Sequence, residues 1–178
     1  QLAGQGCLFA TESDFEPLLY AYQEYGLDFL NSLEGMFAFA LYDQRQNRLL
    51  LVRDRLGIKP LFIAQTADGV YFGSELKALL ALQRPRRPSV NPVGLAQYLQ
   101  SGFAATGATL CNEIERLLPG EAMLIESDGR SRRWRYWSPQ TIQPTAIGFE
   151  EAAEQFSALM TDVMRKHLRA DVPFGLFL

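Results

Sequence analysis

The chain has 178 residues, of which 48% are hydrophobic and 21% are charged, and its formal net charge is −3. These ordinary globular values exclude wholesale disorder and argue against a general affinity for nucleic acid or acidic membranes. No apolar run approaches the roughly 18 residues that span a bilayer. The first residues also lack the basic and apolar regions of a signal peptide.

Residue types that bind metals or act as nucleophiles are few. The chain has two cysteines, Cys7 and Cys111, and one histidine, His167. Neither cysteine has a Cys or His neighbour at metal-ligand spacing, and two cysteines do not make a disulfide framework. We therefore expect both cysteines to be small buried hydrophobic residues. His167 lies near the end of a predicted helix, where its charge would suit the helix dipole.

The first predicted element is a helix. Ser13 and Glu16 have capping-box spacing, apolar residues then repeat at helical spacing, and Gly26 can end the helix. A short second helix is predicted at 28–33. The segment 35–43 is apolar nearly throughout, which is typical of a strand covered on both faces. Further strands are predicted at 48–52, 61–64, 70–72, 122–125 and 132–137.

Two helices are predicted in the middle of the chain. Ser74 can cap a helix at 75–82. Asn91 followed by Pro92 predicts an N-cap and a first helical residue, with the helix running to about position 100.

The composition changes near the end of the chain. The segment 138–148 holds two prolines and no strong period, which indicates a linker. A long amphipathic helix is predicted at 149–169, and 174–178 has the pattern of a buried strand. Because this strand runs to the last residue, we expect the sequence to be cut within a second domain.

Two charged segments could bind a ligand. Asp14, in the predicted first turn of the first helix, could bind an ammonium group, although helix capping alone explains a carboxylate there. Arg53, Asp54 and Arg55 precede Gly57 in a loop that could hold a carboxylate through a bidentate Arg. The alternative for this loop is a solvated or mutually paired charged turn.

Two further patterns have structural alternatives. Ser74, Glu75 and Lys77 could place a nucleophile near a base, but a capped helix with exposed charges explains them equally well. Arginine and aromatic residues alternate at 132–137 and could stack bases. The acidic net charge favours a strand with alternating faces instead.

Several strings together resemble one family, the glutamine-hydrolysing asparagine synthetases of the asparagine-synthetase-B type, which are class II glutamine amidotransferases. The similarity covers almost the whole chain, and no single string is decisive. The strings are SDFE at 13–16, LEGMFAFALYD at 33–43, RDRLGIKPL at 53–61, SELKAL at 74–79, LPG at 118–120, YW at 136–137 and DVPFGLFL at 171–178.

The resemblance implies an α+β fold with two domains. Residues 1–137 would be the C-terminal part of an Ntn-hydrolase-like glutaminase domain with antiparallel sheets and helices, 138–148 a linker, and 149–178 the start of an α/β ATP-pyrophosphatase-like synthetase domain. In that family an N-terminal cysteine, with its own α-amino group as base, releases ammonia from glutamine. Ammonia passes through a tunnel to the second domain, where ATP with Mg²⁺ activates aspartate as β-aspartyl-AMP and ammonia displaces AMP to give asparagine.

The resemblance transfers two site residues to this chain. Asp14 matches the residue that binds the α-amino group of glutamine, and Phe177 matches a position that contacts ATP. Phe15 and Pro17 depart from the family, which usually has a small polar and an aliphatic residue there. The family's nucleophile would lie upstream, and its SGGLDS-type phosphate loop directly after Leu178. We therefore expect no catalytic residue within these residues and no activity from them alone.

The resemblance does not determine which substrate accepts the nitrogen released from glutamine. An amidotransferase of the same architecture with another acceptor, in polysaccharide or secondary metabolism, is one alternative, and a non-catalytic interaction domain is another. The expected partners are glutamine, aspartate and ATP, with neither nucleic acid nor membrane, in a cytoplasmic and possible homodimeric enzyme. Open sheet edges would make the isolated chain poorly soluble or partly unfolded.

Overall fold

The computed structural model describes residues 4, 7–11, 13–82, 88–168, 172, 173 and 175. The chain divides into two compact units, Gln1–Thr141 and Ile142–Leu178.

The described residues of the first unit include three α-helices, which are α1 at Glu16–Tyr25, α2 at Leu76–Leu82 and α3 at Pro92–Ser101. A 3₁₀ segment at Gly26–Ser32 continues directly from α1, and a short 3₁₀ turn lies at Pro139–Thr141. The predicted N-cap of α3 is confirmed, since the side chain of Asn91 accepts hydrogen bonds from the N–H groups of Val93 and Gly94 at 3.0 and 3.2 Å.

Among the described residues of the first unit, seven strands form two antiparallel sheets. Sheet A has the order β1–β2–β6–β7, and sheet B has the order β4–β3–β5. The bounds are β1 at Ala38–Asp43, β2 at Arg48–Arg53, β3 at Phe62–Thr66, β4 at Gly69–Gly73, β5 at Glu115–Arg116, β6 at Glu121–Ile125 and β7 at Ser131–Arg135. Antiparallel pairing throughout agrees with the predicted α+β class.

Alternating side chains along β2 hold the layers together. Leu50 and Val52 point into one cluster with the 3₁₀ segment and α1, whereas Leu51 points into a second cluster with Ile63 of β3. A third cluster joins the other face of sheet B to Leu79 of α2. The order of layers is therefore helix, sheet A, sheet B, helix, because successive side chains of the central strands point to opposite sides.

The predicted capping box at α1 is wrong. Phe15 occupies the N-cap position, no side chain caps the helix, and Pro17 lies in its first two positions. If Ser13 were the N-cap, Pro17 would fall where the helix needs its first backbone N–H donor, which proline lacks. Starting the helix at Glu16 moves Pro17 to a position where no N–H donor is needed.

The expectation that the first strand is covered on both faces is also wrong. Phe39 and Leu41 are buried, but Ala40 and Tyr42 are exposed. β1 lies at the edge of sheet A, and on this face only Ala38 packs against the cluster between the sheets. Apolar sequence alone therefore overstated the burial of this strand.

The second unit contains α4 at Phe149–His167. Glu150 and Glu151 lie in its first turn and Arg165, Lys166 and His167 in its last turn, as the helix dipole favours. The Nδ1 atom of His167 lies 2.9 Å from the carbonyl oxygen of Val163, within the same helix. The predicted strand at 174–178 lies outside the described residues, apart from Gly175, which is not in a strand.

Candidate functional site

Asp14 lies in the turn that leads into α1. Its side chain is exposed, and within the described residues no hydrogen bond or ion pair involves its carboxylate. A carboxylate in this state can accept hydrogen bonds from a ligand ammonium without first breaking an internal contact.

The side chain of Glu16 ties the preceding segment to the start of α1. Its Oε1 accepts the N–H of Ala10 at 2.7 Å. Its Oε2 accepts both the N–H and the hydroxyl of Thr11, at 2.7 and 2.6 Å. The hydrogen bond from the Thr11 hydroxyl is the main cause, and that from Ala10 the next, of a lowered pKa for Glu16. Glu16 therefore reaches back along the chain instead of capping the helix.

Smaller contacts continue this network around Asp14. The N–H of Ser13 donates to Oγ1 of Thr11, and the N–H of Phe15 donates to Oγ of Ser13, both at 3.3 Å. Farther along α1, the hydroxyl of Tyr20 donates to the carbonyl of Leu8 at 2.9 Å, and its ring meets that of Phe9 edge to face. The segment before α1 is thus bonded to the helix at both ends.

The loop that follows β2 is organised by a buried carboxylate. Asp54 is completely buried, and its side chain accepts the N–H groups of Leu56, Ile58 and Lys59 at 3.2, 3.0 and 2.9 Å. Its carbonyl oxygen also accepts the N–H groups of Gly57 and Gly120. Charge-assisted bonds to backbone donors fix the loop conformation.

Arg53 fills the centre of the same loop. Its guanidinium donates to the carbonyls of Lys59, Leu117 and Gly57 at 2.8, 2.6 and 2.5 Å. Burial, and then the charge of Arg116, lower the pKa of Arg53, while Asp54 acts in the opposite direction. The carboxylate site and the solvated turn are therefore wrong for Arg53 and Asp54. Instead of pairing mainly with each other, as the remaining alternative has it, these side chains bind the protein backbone.

Gly120 and Tyr136 close the loop from the side of sheet A. Gly120 has a φ of 67°, and a Cβ there would lie 2.3 Å from the carbonyl oxygen of Trp137, so only glycine fits. The Tyr136 hydroxyl donates to the carbonyl of Arg53 at 2.8 Å. Burial is the main cause that raises the pKa of Tyr136 to about 12.

The other candidate segments have structural explanations. Lys77 pairs with Glu75 at 2.7 Å on the surface, and Ser74 is exposed. On β7, Arg133 pairs with Glu115 of β5, and Arg135 lies 3.8 Å from Glu121. These arginines have acidic partners, one in the other sheet and one in the adjacent strand β6, which favours the strand interpretation over base stacking.

A cleft of about 440 Å³ lies between the 3₁₀ segment and β7. Arg132 stacks over Trp134 in it, 4.8 Å from the ring centroid, and Asp28 and Asn31 line the opposite side. Asp14 is not among the lining residues, so the cleft is separate from the predicted glutamine-binding residue.

Both cysteines are free thiols. Cys111 is buried as expected, and burial, followed by the charge of Glu113, raises the pKa of its thiol. Cys7 is only half-buried. Within the described ranges, no three His, Cys, Asp or Glu side chains come together in a way that could hold a metal ion. Phe177 lies outside the described residues.

Sequence reasoning missed the network around Asp14 and the burial of Asp54. Glu16 was assigned to a capping box, and only the position of Pro17 carried a warning against that assignment. For Asp54, the combination of a charged residue with a following glycine and proline signalled a structured turn, but it did not show which groups the carboxylate would bind. No helix among the described residues is long and apolar enough to cross a membrane.

Comparison with known proteins gives the family. A sequence profile of the glutamine amidotransferase domain matches residues 1–137. Asparagine synthetase [glutamine-hydrolyzing] 3 of Bacillus subtilis is 34% identical and aligns with 100% of this chain and 29% of its own length. Asparagine synthetase [glutamine-hydrolyzing] 1 of the same organism is 32% identical, over 100% of this chain and 28% of its own length. The chain thus spans less than a third of these relatives.

A solved structure shows the same fold. The glutamine phosphoribosylpyrophosphate amidotransferase of Bacillus subtilis superposes with a TM-score of 0.51 at 22% identity, covering 77% of this chain and 25% of that protein. The layered antiparallel sheets and helices therefore form the same fold as that protein, in agreement with the Ntn-hydrolase-like fold expected from the sequence. With the profile match over residues 1–137, the chain belongs to the glutamine amidotransferase domain family.

Proposed function

We propose that this chain is part of an ATP-dependent, glutamine-hydrolysing asparagine synthetase. The observation that carries the proposal is the identity of 34% and 32% with two such enzymes along the whole chain. In this proposal the protein converts glutamine, aspartate and ATP into asparagine, glutamate, AMP and pyrophosphate. Residues 1–137 belong to the glutaminase domain, 138–148 form a linker, and 149–178 begin the synthetase domain.

Asp14 is the residue that we assign to glutamine. Its exposed carboxylate, which has no internal partner among the described residues, supports a role in accepting hydrogen bonds from the α-amino group. In this proposal, the other reacting groups belong to parts of the enzyme outside this chain. The nucleophile and the phosphate loop belong to segments outside the 178 residues, so the chain alone does not hydrolyse glutamine.

ATP with Mg²⁺ would supply the activation of the acceptor carboxylate. Within the described residues, no group of three or more His, Cys, Asp or Glu side chains could hold the metal. Phe177 is proposed to contact ATP on the resemblance alone. Small soluble substrates of this kind agree with a cytoplasmic location, and we propose that location together with an enzyme that binds neither nucleic acid nor membrane.

The test uses the full-length protein that carries this chain. It is incubated with aspartate, ATP with Mg²⁺, and glutamine labelled with ¹⁵N in the side-chain amide. We expect ¹⁵N in the side-chain amide of asparagine, with glutamate, AMP and pyrophosphate formed in equal amounts. Glutamate formation with the ¹⁵N released as free ammonia, and no labelled asparagine, would show that aspartate is not the acceptor. No glutamate at all would refute the glutaminase assignment.

A second preparation tests whether the 178 residues alone can hydrolyse glutamine. The 178-residue chain, purified alone, is assayed for glutamate release under the same conditions. We expect none, because in this proposal the nucleophile belongs to a segment outside these residues. Measurable hydrolysis by the chain alone would show that a residue within it performs the chemistry.

A further inference from the structure

The network around Asp14 suggests a role for residues that do not themselves touch the substrate. Glu16 accepts three hydrogen bonds from Ala10 and Thr11, at 2.6 to 2.7 Å. Thr11 in turn accepts the N–H of Ser13, and Ser13 accepts the N–H of Phe15. The two residues that flank Asp14 are therefore bonded into one chain of contacts that begins at Glu16.

Asp14 itself takes no part in this network. Its backbone lies between two bonded neighbours, whereas its carboxylate is exposed and has no partner among the described residues. Such an arrangement fixes the backbone that presents a carboxylate and keeps its oxygens available to a ligand. Fixing a binding group before the ligand arrives lowers the entropy lost on binding.

We propose that Glu16 and Thr11 are positioning residues that hold Asp14 in the geometry that recognises the α-amino group of glutamine. This inference rests on the proposed function, because it requires that Asp14 contacts glutamine. Glu16 is the anchor, since its two carboxylate oxygens bind two successive amides and one hydroxyl of the segment before α1. Thr11 is the connector, since its hydroxyl both donates to Glu16 and accepts from Ser13.

The test measures steady-state kinetics in the full-length protein, with glutamine and then with ammonia as nitrogen donor. Glu16→Ala and Thr11→Val remove the anchor and the connecting hydroxyl. We expect each to raise KM for glutamine about tenfold, because a misplaced binding group weakens recognition. The kcat with glutamine and the rate with ammonia should stay within about twofold of the wild type, because binding alone is altered.

Conservative variants and a matched control separate positioning from a general loss of structure. Thr11→Ser keeps the hydroxyl and should keep KM near the wild-type value, and Glu16→Gln keeps one acceptor oxygen and should give an intermediate KM. Glu24→Gln removes an exposed carboxylate from the same helix and should change nothing. An equal fall of the glutamine and ammonia rates in Glu16→Ala and Thr11→Val would overturn the inference, since it would show a structural defect.

Asp14→Asn distinguishes failure of the inference from failure of the proposed function. If Asp14→Asn raises KM for glutamine but the Glu16 and Thr11 variants do not, the positioning inference is wrong and the role of Asp14 stands. If Asp14→Asn also leaves KM for glutamine unchanged, Asp14 does not contact glutamine. The assignment of Asp14 and the positioning inference are then both wrong.

Discussion

Replacing Asp54 by Asn tests whether the buried carboxylate organises the loop after β2. The change keeps the shape of the side chain and removes its charge. Asn can still offer Oδ1 to the N–H groups of Leu56 and Ile58, but an NH₂ group then faces the N–H of Lys59, which Oδ2 accepts at 2.9 Å in the native protein. The introduced NH₂ group and the N–H of Lys59 are both donors, and they would face each other in a fully buried position.

The loss of loop stability in Asp54→Asn follows from the hydrogen bonds that are lost. A hydrogen bond to a charged group contributes about 1.5–3 kcal/mol, and a buried donor left without a partner costs about 1–3 kcal/mol. Arg53, which is also buried, loses a nearby negative charge. We therefore expect the opening of this loop to become easier by about 3 kcal/mol, which corresponds to roughly 100-fold faster amide exchange because 1.4 kcal/mol is about tenfold.

Hydrogen–deuterium exchange of the peptide that spans residues 54–61 provides the assay. Asp68→Asn is the control, because Asp68 is an exposed residue in the turn between β3 and β4. Such a surface change should alter stability by no more than about 0.5 kcal/mol. Exchange of residues 54–61 at the wild-type rate in Asp54→Asn would refute the argument that this carboxylate fixes the loop.

Two further predictions concern the residues that close the loop. Gly120→Ala should destabilise the protein by about 2–5 kcal/mol, because about 1–3 kcal/mol of overpacking against Trp137 adds to about 1–2 kcal/mol of backbone strain. Gly129→Ala has a positive φ but nothing within 4 Å of its Cβ, so it should cost only about 1–2 kcal/mol of backbone strain. Equal melting temperatures of the two variants would contradict the close contact with Trp137. Because burial raises the pKa of Tyr136 to about 12, the folded state keeps this proton after the unfolded state has lost it, so stability is full below about pH 10 and is lost as the pH rises towards 12. Phenolate absorbance should show a late titration step that Tyr136→Phe removes, and persistence of that step in the variant would assign it to another tyrosine.

Local patterns predicted the elements whose stability depends on neighbours in sequence. Asn91 before Pro92 specified the start of α3, because an N-cap needs only a side-chain oxygen and two nearby amides. The strands predicted at 61–64 and 70–72 are likewise present as β3 and β4, which pair through a two-residue turn at Ala67 and Asp68.

Features that depend on distant parts of the chain could not be read from the sequence. The sequence left Arg53 between a ligand-binding loop and a solvated or mutually paired turn. Its guanidinium is instead buried and donates to the carbonyl of Leu117, 64 residues away. The exposure of Tyr42 depends on which strand lies at the edge of sheet A. The role of Asp14 in binding glutamine is a prediction from the resemblance. The contacts of its neighbours Ser13 and Phe15 could not be predicted from the sequence.

The assignment of Asp14 to glutamine recognition is the central claim, and the kinetics of Asp14→Asn in the full-length protein test it most directly. Loss of a charged hydrogen-bond partner for the α-amino group should raise KM for glutamine about 10- to 100-fold, from about 1.5–3 kcal/mol of binding energy. The rate with ammonia as nitrogen donor should not change, because that route does not use the glutamine site. A KM for glutamine equal to that of the wild type would contradict the account.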